Sequence, residues 1–178
     1  VILGTGVGGG VVIGGRVLVG RNGVAGEWGH TPLPNPEGEE LPGRICWCGR
    51  RNCIETWCAG PALAADYARA LGAGEGQGPT AEEIAELAAE GDPEAEAALA
   101  RHRARLARAL AGVVNLLDPH AIVLGGGVSN LPGLAEALPE AMRPHVFSDA
   151  FDTPIRRARH GDSSGVRGAA WLWNEDPA

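Results

Sequence analysis

The sequence predicts an α/β fold, and three of its segments support that prediction. The apolar run Ala121-Ile122-Val123-Leu124 ends in three glycines. The chain opens on Val1-Ile2-Leu3, which leads directly into a second glycine-rich stretch. Between these two segments, leucines and valines recur at helical intervals over residues 93–117. Short apolar strands that end in glycine loops and alternate with helices are typical of an α/β domain.

Residues 1–20 combine a short strand, a glycine loop and a predicted β-hairpin. The loop Gly4-Thr5-Gly6-Val7-Gly8-Gly9-Gly10 has the G-x-G-x-x-G spacing of dinucleotide-binding proteins, which requires a helix immediately afterwards. Residues 11–19 instead predict two β-branched strands joined by the turn Gly14-Gly15, so that interpretation fails. Backbone N–H groups of a glycine run can still approach a phosphate closely, and the alternative is a hairpin corner without a ligand.

A set of metal-ligating residues follows. Cys46, Cys48 and Cys53 offer three thiolates, and His30, sixteen positions before the first of them, offers an imidazole. A closed Cys3His shell is that of a structural Zn²⁺, because it leaves no position for water. The alternative is a disulfide, but Cys46 and Cys48 are too close for an unstrained bridge and nothing indicates a secreted chain. We therefore predict a zinc site that shapes a proline-rich and glycine-rich loop, with Cys58 a buried apolar residue instead of a ligand.

The middle of the chain is predicted to be helical. A helix over residues 53–71 is interrupted at Gly60-Pro61, since proline favours the first turn of a new helix. Residues 80–89 open on the capping box T-A-E-E and predict a second helix. Residues 93–117 predict a longer helix with one apolar face.

The last third of the chain predicts two more strand–helix pairs. Residues 121–124 read as a strand buried on both faces, followed by Gly125-Gly126-Gly127 and a helix over residues 131–142. A strand at residues 153–159 and a helix at residues 164–173 come next. Three strand ends in the chain carry glycines, and ligands of open α/β sheets bind at such ends, so we predict a nucleotide clamp.

Composition narrows the possible functions. Lysine plus arginine is 15 against 22 for aspartate plus glutamate, and the net charge of −7 argues against a nucleic-acid surface. No apolar stretch reaches the roughly 20 residues that a membrane span requires, and no signal peptide is visible, so we expect a cytoplasmic protein. The chain opens without Met on what reads as the middle of a strand, and we expect it to be part of a longer protein. Four arginines of the long helix are expected to form a solvated face: Arg101, Arg103, Arg105 and Arg108.

Five motifs share an order and spacing over nearly the whole chain. They are the glycine loop at residues 4–10, Glu27-x-Gly29-His30, Cys46-x-Cys48-Gly49-x-x-x-Cys53-x-Glu55, Leu124-Gly125-Gly126-Gly127-Val128 and Asp162-x-x-Gly165-x-x-Gly168-Ala169-Ala170. Together they resemble the ROK family of bacterial sugar kinases and sugar-responsive repressors. Residues 28–34 and 46–51 are most similar to the fructokinase and manno(fructo)kinase branch, with N-acetylglucosamine kinases next.

The resemblance implies a fold and a domain organisation. The fold would be an actin-like, ribonuclease-H-like ATPase of two lobes, with residues 1–178 as the C-terminal lobe and a zinc-binding loop inserted in it. Within this lobe, residues 1–20 would form the strand and phosphate-loop hairpin, and residues 27–58 the zinc and sugar loop. Residues 60–118 would form a helical part, and residues 121–175 the nucleotide-side α/β part. A homodimer is also implied.

The resemblance further implies ATP, with Mg²⁺, as phosphoryl donor and a hexose as acceptor, with fructose ahead of mannose, glucose and N-acetylglucosamine. The implied sugar-binding residues are Glu27, His30 and Glu55, and the implied zinc ligands are His30, Cys46, Cys48 and Cys53. The alternative for Glu55 is a charge at the start of a helix that complements the helix macrodipole. The implied ATP-binding residues are Gly4, Thr5, Gly6, Val7, Gly8, Gly9, Gly10, Val11, Gly125, Gly126 and Gly127.

Two departures from the family pattern affect these expectations. Kinases of the family carry a general-base aspartate in an Asn-Asp motif upstream of the glycine loop and an Asp-x-Gly-Gly-Thr loop near their start, and neither motif is in this sequence. We therefore expect these residues alone to be inactive. Asn52 replaces the usual glycine before the third cysteine, but asparagine tolerates a left-handed backbone and the turn should persist.

Two other functions stay open at this point. One is a sugar-sensing transcriptional repressor whose winged helix would precede this segment, and the other is a stand-alone zinc-stabilised sugar-binding or dimerisation lobe. The intact glycine loop favours the kinase, since a sensor has no need of phosphate contacts.

Overall fold

The computed structural model describes residues 1–74 and 78–171 and has a mixed α/β fold, as the sequence predicts. The predicted helix at residues 164–173 begins as expected, and its last two residues lie outside the described part. The strands are β1 (Ile2–Leu3), β2 (Val7–Gly8), β3 (Val12–Ile13), β4 (Arg16–Val17), β5 (Ile122–Leu124) and β6 (Ile155–Arg157). The helices are α1 (Glu55–Cys58), α2 (Gly60–Ala70), α3 (Ala81–Ala89), α4 (Pro93–Leu117), α5 (Leu134–Met142) and α6 (Ser164–Trp171).

Two antiparallel hairpins form the start of the chain. β1 pairs with β2 in the register Ile2↔Gly8, and residues 4–6 of the glycine loop connect the two strands. β3 pairs with β4 across the predicted two-residue turn Gly14-Gly15, where both glycines have positive φ. That turn geometry matches the right-handed twist of the strands and is accessible to glycine. The hairpin prediction is confirmed.

The parallel pair β5–β6 is joined to the start of the chain. Ile122 lies opposite Ile155, and the backbone of Leu3 donates a hydrogen bond of 2.8 Å to the carbonyl of Gly125. The prediction that β5 is buried on both faces is wrong, because Val123 is 48% exposed. In the part of the chain that the structure describes, the core covers only the face that carries Ile122 and Leu124, and no element covers the other.

Helix α4 is the centre of the hydrophobic core, and helices α1, α2, α3 and α5 pack around it. Leu106 and Leu110 are fully buried, and each such side chain contributes about 1.5–3 kcal/mol relative to an exposed one. The predicted capping box is present at α3, where Thr80 and Glu83 exchange hydrogen bonds. Cys58 is buried in the core, as predicted. None of the helices among the described residues has the length and apolarity to cross a bilayer.

The arginines of α4 are not a solvated face, and that prediction is wrong for three of the four. Arg105 is only 3% exposed, and its guanidinium contacts carboxylates from distant parts of the chain. Arg101 and Arg108 are partly buried and pair with members of the same acidic cluster, Asp66 and Glu40 respectively. Arg103 is exposed, as expected. Burying an arginine is possible only where acidic partners meet it, and those partners are Glu39, Glu40 and Asp66.

Candidate functional site

The four predicted metal ligands lie together. The ligand atoms of His30, Cys46, Cys48 and Cys53 are all within 4.8 Å of one another. Cys46 Sγ is 3.6 Å from His30 Nδ1, and the sulfurs of Cys48 and Cys53 are 3.7 Å apart. A tetrahedral Zn²⁺ with ordinary Zn–S and Zn–N bonds gives edges of about 3.6 Å for S–N and about 3.8 Å for S–S. The cluster therefore fits a zinc ion, and the four cysteines are free thiols, which excludes the disulfide alternative.

The three cysteine sulfurs lie on a compact turn over residues 44–53, here called the knuckle. The backbone of Cys46 donates to the carbonyl of Arg50, and Asn52 donates to the carbonyl of Arg44 at 2.7 Å. Asn52 has φ of +64°, so asparagine maintains the left-handed turn as predicted. Its side-chain oxygen also accepts a hydrogen bond of 2.5 Å from the indole of Trp57, which is buried beneath the knuckle. The turn is thus fixed from inside the core.

The electrostatic environment of the thiols favours a shared cation. Burial and the neighbouring sulfurs raise the pKa of Cys53 to about 12. A hydrogen bond from the backbone of Arg50 is the main cause that lowers the pKa of Cys48. A thiol must lose its proton before its sulfur can bind Zn²⁺. Zn²⁺ binding would release these protons, because zinc binds thiolates.

The glycine loop packs directly against the metal loop. The backbone N–H of Val7 donates to Glu55 Oε2 at 2.9 Å, and Trp28 Nε1 donates to the carbonyl of Gly8 at 2.8 Å. A Cβ on Gly29 would lie 1.9 Å from the carbonyl oxygen of Val7, a distance that no side chain can occupy. Residue 29 must therefore be glycine, and the two loops form one unit.

Two of the three predicted sugar-binding residues lie in one cluster. Glu55 Oε1 accepts a hydrogen bond of 2.6 Å from Trp47 Nε1, and the His30 ring meets the Trp47 ring edge-on at 5.0 Å. His30 directs Nδ1 toward the sulfurs, which leaves Nε2 as its second nitrogen. Glu27 is exposed at the turn before His30, and its side chain makes no hydrogen bond to the described residues. Glu55 does begin α1, but its carboxylate is bound by Val7 and Trp47, so it is more than a helix-start charge.

A cavity of about 800 Å³ lies on the other side of the glycine loop. Gly4 and Thr5 line it together with Gly127 and Asp162, so residues from all three predicted glycine-bearing strand ends meet there. The other predicted ATP-binding residues do not line this cavity. Gly126 has φ of +82°, and a Cβ there would lie 2.3 Å from the carbonyl oxygen of Leu3, so its role is to let β1 and β5 approach.

Sequence reasoning missed two parts of the site. One wall of the cavity is α3, which read only as a well-capped helix, and the other missed residue is Trp47. A signal for α3 is present in the sequence, because Ala81, Ala85 and Ala89 repeat at the spacing of one helix face and leave room beside it. For Trp47 the sequence holds no comparable signal.

Comparisons with known proteins identify the class of this mixed α/β chain. The model of the ROK family matches residues 1–176. The chain belongs to the ROK family, which confirms the resemblance.

Individual relatives are sugar kinases by name. The chain is 40% identical over 175 residues to the N-acetyl-D-glucosamine kinase of Yersinia pseudotuberculosis, and this alignment covers 96% of this chain and 56% of that protein. It superimposes on the ROK hexokinase of Thermus thermophilus with a TM-score of 0.80 and 39% identity, over 99% of this chain and 57% of that one. The ROK glucokinase of Streptomyces griseus, solved with glucose and AMPPNP, gives a TM-score of 0.79 and 33% identity, over 96% and 58%. The chain thus spans little more than half the length of these relatives.

Proposed function

We propose that the protein containing this chain is an ATP-dependent sugar kinase whose acceptor is an aldohexose, N-acetylglucosamine or glucose. The observation that carries the proposal is the hydrogen bond between the backbone of Val7 and the carboxylate of Glu55. This hydrogen bond joins the glycine loop, which we expect to contact phosphate, to Glu55, which we expect to bind the sugar. A phosphoryl transfer enzyme needs donor and acceptor side by side, because its catalysis consists largely of positioning and charge stabilisation.

On the donor side, ATP with Mg²⁺ would occupy the 800 Å³ cavity. The backbone of Gly4 and Thr5 would face the phosphates, since glycine-rich turns offer N–H groups to anions. Gly127 would lie beside the adenosine, and α3 would form the opposite wall. Both the volume and the apolar character of the alanine face of α3 fit a nucleoside.

On the acceptor side, Glu27, His30 and Glu55 would bind sugar hydroxyls. Carboxylates accept strong, charge-assisted hydrogen bonds from hydroxyl groups. Zn²⁺ held by His30, Cys46, Cys48 and Cys53 would supply no open coordination position, and its contribution would be to fix the loop. Fixing His30 and Glu55 before the sugar arrives reduces the entropy lost on binding.

The sequence alone ranked fructose first among the possible acceptors, but the relatives favour an aldohexose. The named relatives act on N-acetylglucosamine, glucose or hexoses, and N-acetylglucosamine was among the alternatives. We keep three further predictions: the chain is the C-terminal lobe, the general base lies in residues outside this sequence, and the complete protein is a cytoplasmic homodimer. The residues of this chain alone should therefore not turn over substrate.

A coupled ATPase assay on the full-length protein with a panel of sugars tests the proposal. We expect the highest kcat/KM for N-acetylglucosamine or glucose and a lower value for mannose and fructose. The highest value with fructose would return the assignment to fructokinase. ATP hydrolysis that no hexose stimulates would refute the kinase and favour the sugar-sensing regulator.

A further inference from the structure

We propose that Trp47 is a further residue of the sugar site, where it positions Glu55 and offers its ring face to a pyranose. The proposal rests on the proposed function and extends it to a residue that the ROK motifs do not specify. Trp47 lies between the metal ligands Cys46 and Cys48, yet it is 81% exposed. Its indole contacts two of the predicted sugar-binding residues, Glu55 and His30.

Packing does not explain a tryptophan at this position. Trp57, in α1, is 1% exposed and belongs to the core. Trp47 is largely exposed, so burial of its ring stabilises the fold little. Its ring is nevertheless held at two points, by the 2.6 Å hydrogen bond to Glu55 Oε1 and by the edge-on contact with His30. An exposed aromatic ring that is fixed in orientation is a surface prepared for a ligand.

The hydrogen bonds to Glu55 leave room for a sugar. A carboxylate has about four acceptor positions on its two oxygens. Val7 takes one on Oε2 and Trp47 takes one on Oε1. The Cys46 thiol also lies 4.0 Å from Oε1, a weak contact that a zinc-bound thiolate would no longer donate, so about two positions remain for hydroxyl groups. Because an N–H donor holds each oxygen, the plane of the carboxylate is set before the ligand binds. Trp47 thus acts on the acceptor geometry of Glu55.

The open ring face indicates the chemistry of the ligand. An aromatic face carries partial negative charge, and it attracts the weakly positive C–H bonds that line one face of a pyranose. A sugar that donates hydroxyl groups to Glu55 would place such a face beside the indole. The same site would disfavour an acyclic polyol, which has no flat C–H face to pack on the ring.

Steady-state kinetics of the full-length protein and two variants test this inference. Trp47→Phe keeps a ring and removes the N–H, and we expect it to raise the sugar KM about three- to tenfold, the effect of a typical hydrogen bond, because the lost N–H binds Glu55 and not the sugar itself. Trp47→Ala removes both and should raise it further. The KM for ATP and the zinc content should stay at wild-type values. Ile45→Ala is the matched control, since Ile45 is in the same loop and its side chain is 70% exposed.

The outcomes separate this inference from the proposed function. A selective rise in sugar KM in both tryptophan variants, absent in Ile45→Ala, supports it. Wild-type sugar KM in Trp47→Ala overturns it while the kinase assignment stands. Loss of zinc in Trp47→Phe also overturns it, because the role would then be to fold the metal loop. A wild-type protein that neither binds nor phosphorylates a pyranose overturns both.

Discussion

Replacing Arg105 with methionine should weaken the fold strongly, because this side chain joins the metal loop to the central helix. Its guanidinium donates to Glu40 at 3.0 Å and to Asp66 at 2.9 Å, and it also pairs with Glu39. It lies 4.8 Å from the centre of the Trp57 ring, beneath the knuckle that carries the cysteines. Methionine keeps the length of the apolar stem and removes every one of these polar contacts.

The magnitude follows from what stays paired after the change. Removing one member of a buried ion cluster costs about 3–5 kcal/mol, since the partners are left buried and charged. Here Asp66 retains Arg101 at 2.8 Å and Glu40 retains Arg108 at 2.6 Å, so both carboxylates keep a partner. We therefore expect the lower end, a loss of about 3 kcal/mol in the free energy of unfolding.

The pH dependence of this loss has a defined sign. Burial raises the pKa of Asp66, but hydrogen bonds and charges from Arg101 and Arg105 outweigh it, and the net pKa is lowered. The pKa of Glu40 is lowered in the same way: burial opposes the shift, and the hydrogen bond from Arg108 is the largest of the causes that outweigh it. Carboxylates with a lowered pKa stabilise the fold above their unfolded pKa of about 4 and lose that effect as pH falls through the folded value. The difference between wild type and variant should therefore shrink below about pH 4.

Urea denaturation followed by circular dichroism measures the effect at neutral pH and at a series of acidic pH values. Arg103→Met is the matched control, because Arg103 is exposed on the same helix, and a change within about 0.5 kcal/mol is expected there. Equal stability of the Arg105 and Arg103 variants would refute the reasoning, since it would mean that the buried ion cluster contributes nothing beyond its apolar volume.

Three other predictions concern the metal, a buried histidine and two glycines. Elemental analysis should find about one zinc per chain, and Cys53→Ser should lower that value, whereas metal-free protein with four titratable thiols would overturn the site. Burial lowers the pKa of His102, so the fold should lose stability as pH falls below the unfolded pKa of about 6.5, where the unfolded chain binds the extra proton, and His102→Gln should remove this dependence in urea titrations. Gly29→Ala should destabilise by at least about 1–3 kcal/mol because its Cβ meets the Val7 carbonyl. Gly112→Ala, in α4 with only an ordinary contact at 4.0 Å, should stabilise by about 0.5–1 kcal/mol, and urea denaturation measures both glycine variants.

Local signals in the sequence were sufficient for most of the secondary structure. The turn Gly14-Gly15, the capping box at Thr80 and the 25 residues of α4 each depend on residues within a few positions of one another. The clustering of His30, Cys46, Cys48 and Cys53 could be predicted for a related reason, since these residue types are specific even though His30 lies sixteen positions from Cys46.

Contacts between distant residues could not be predicted in this way. Arg105 meets Glu40 from 65 positions away, and Val7 meets Glu55 from 48 positions away. An arginine on a helix has the same local pattern whether solvent or a carboxylate faces it, so the sequence favoured the solvated face. Val123 shows the reverse error, since it was expected to be buried and is exposed. An apolar run shows that a strand can be buried but not which elements cover it.

The contacts of the loop that carries the Cys3His cluster determine what removal of the proposed zinc would affect. The core under α4 contains fully buried leucines that do not depend on the cysteines, so the helical part should persist without zinc. Glu55 follows Cys53 by two residues and holds the backbone of Val7, so a change in the loop reaches the glycine loop through one carboxylate. In the sugar kinase that we propose, zinc removal should therefore alter the binding of both sugar and nucleotide before it alters global stability. A metal that acted only as a staple of the fold would produce the reverse order, with unfolding preceding any change in affinity.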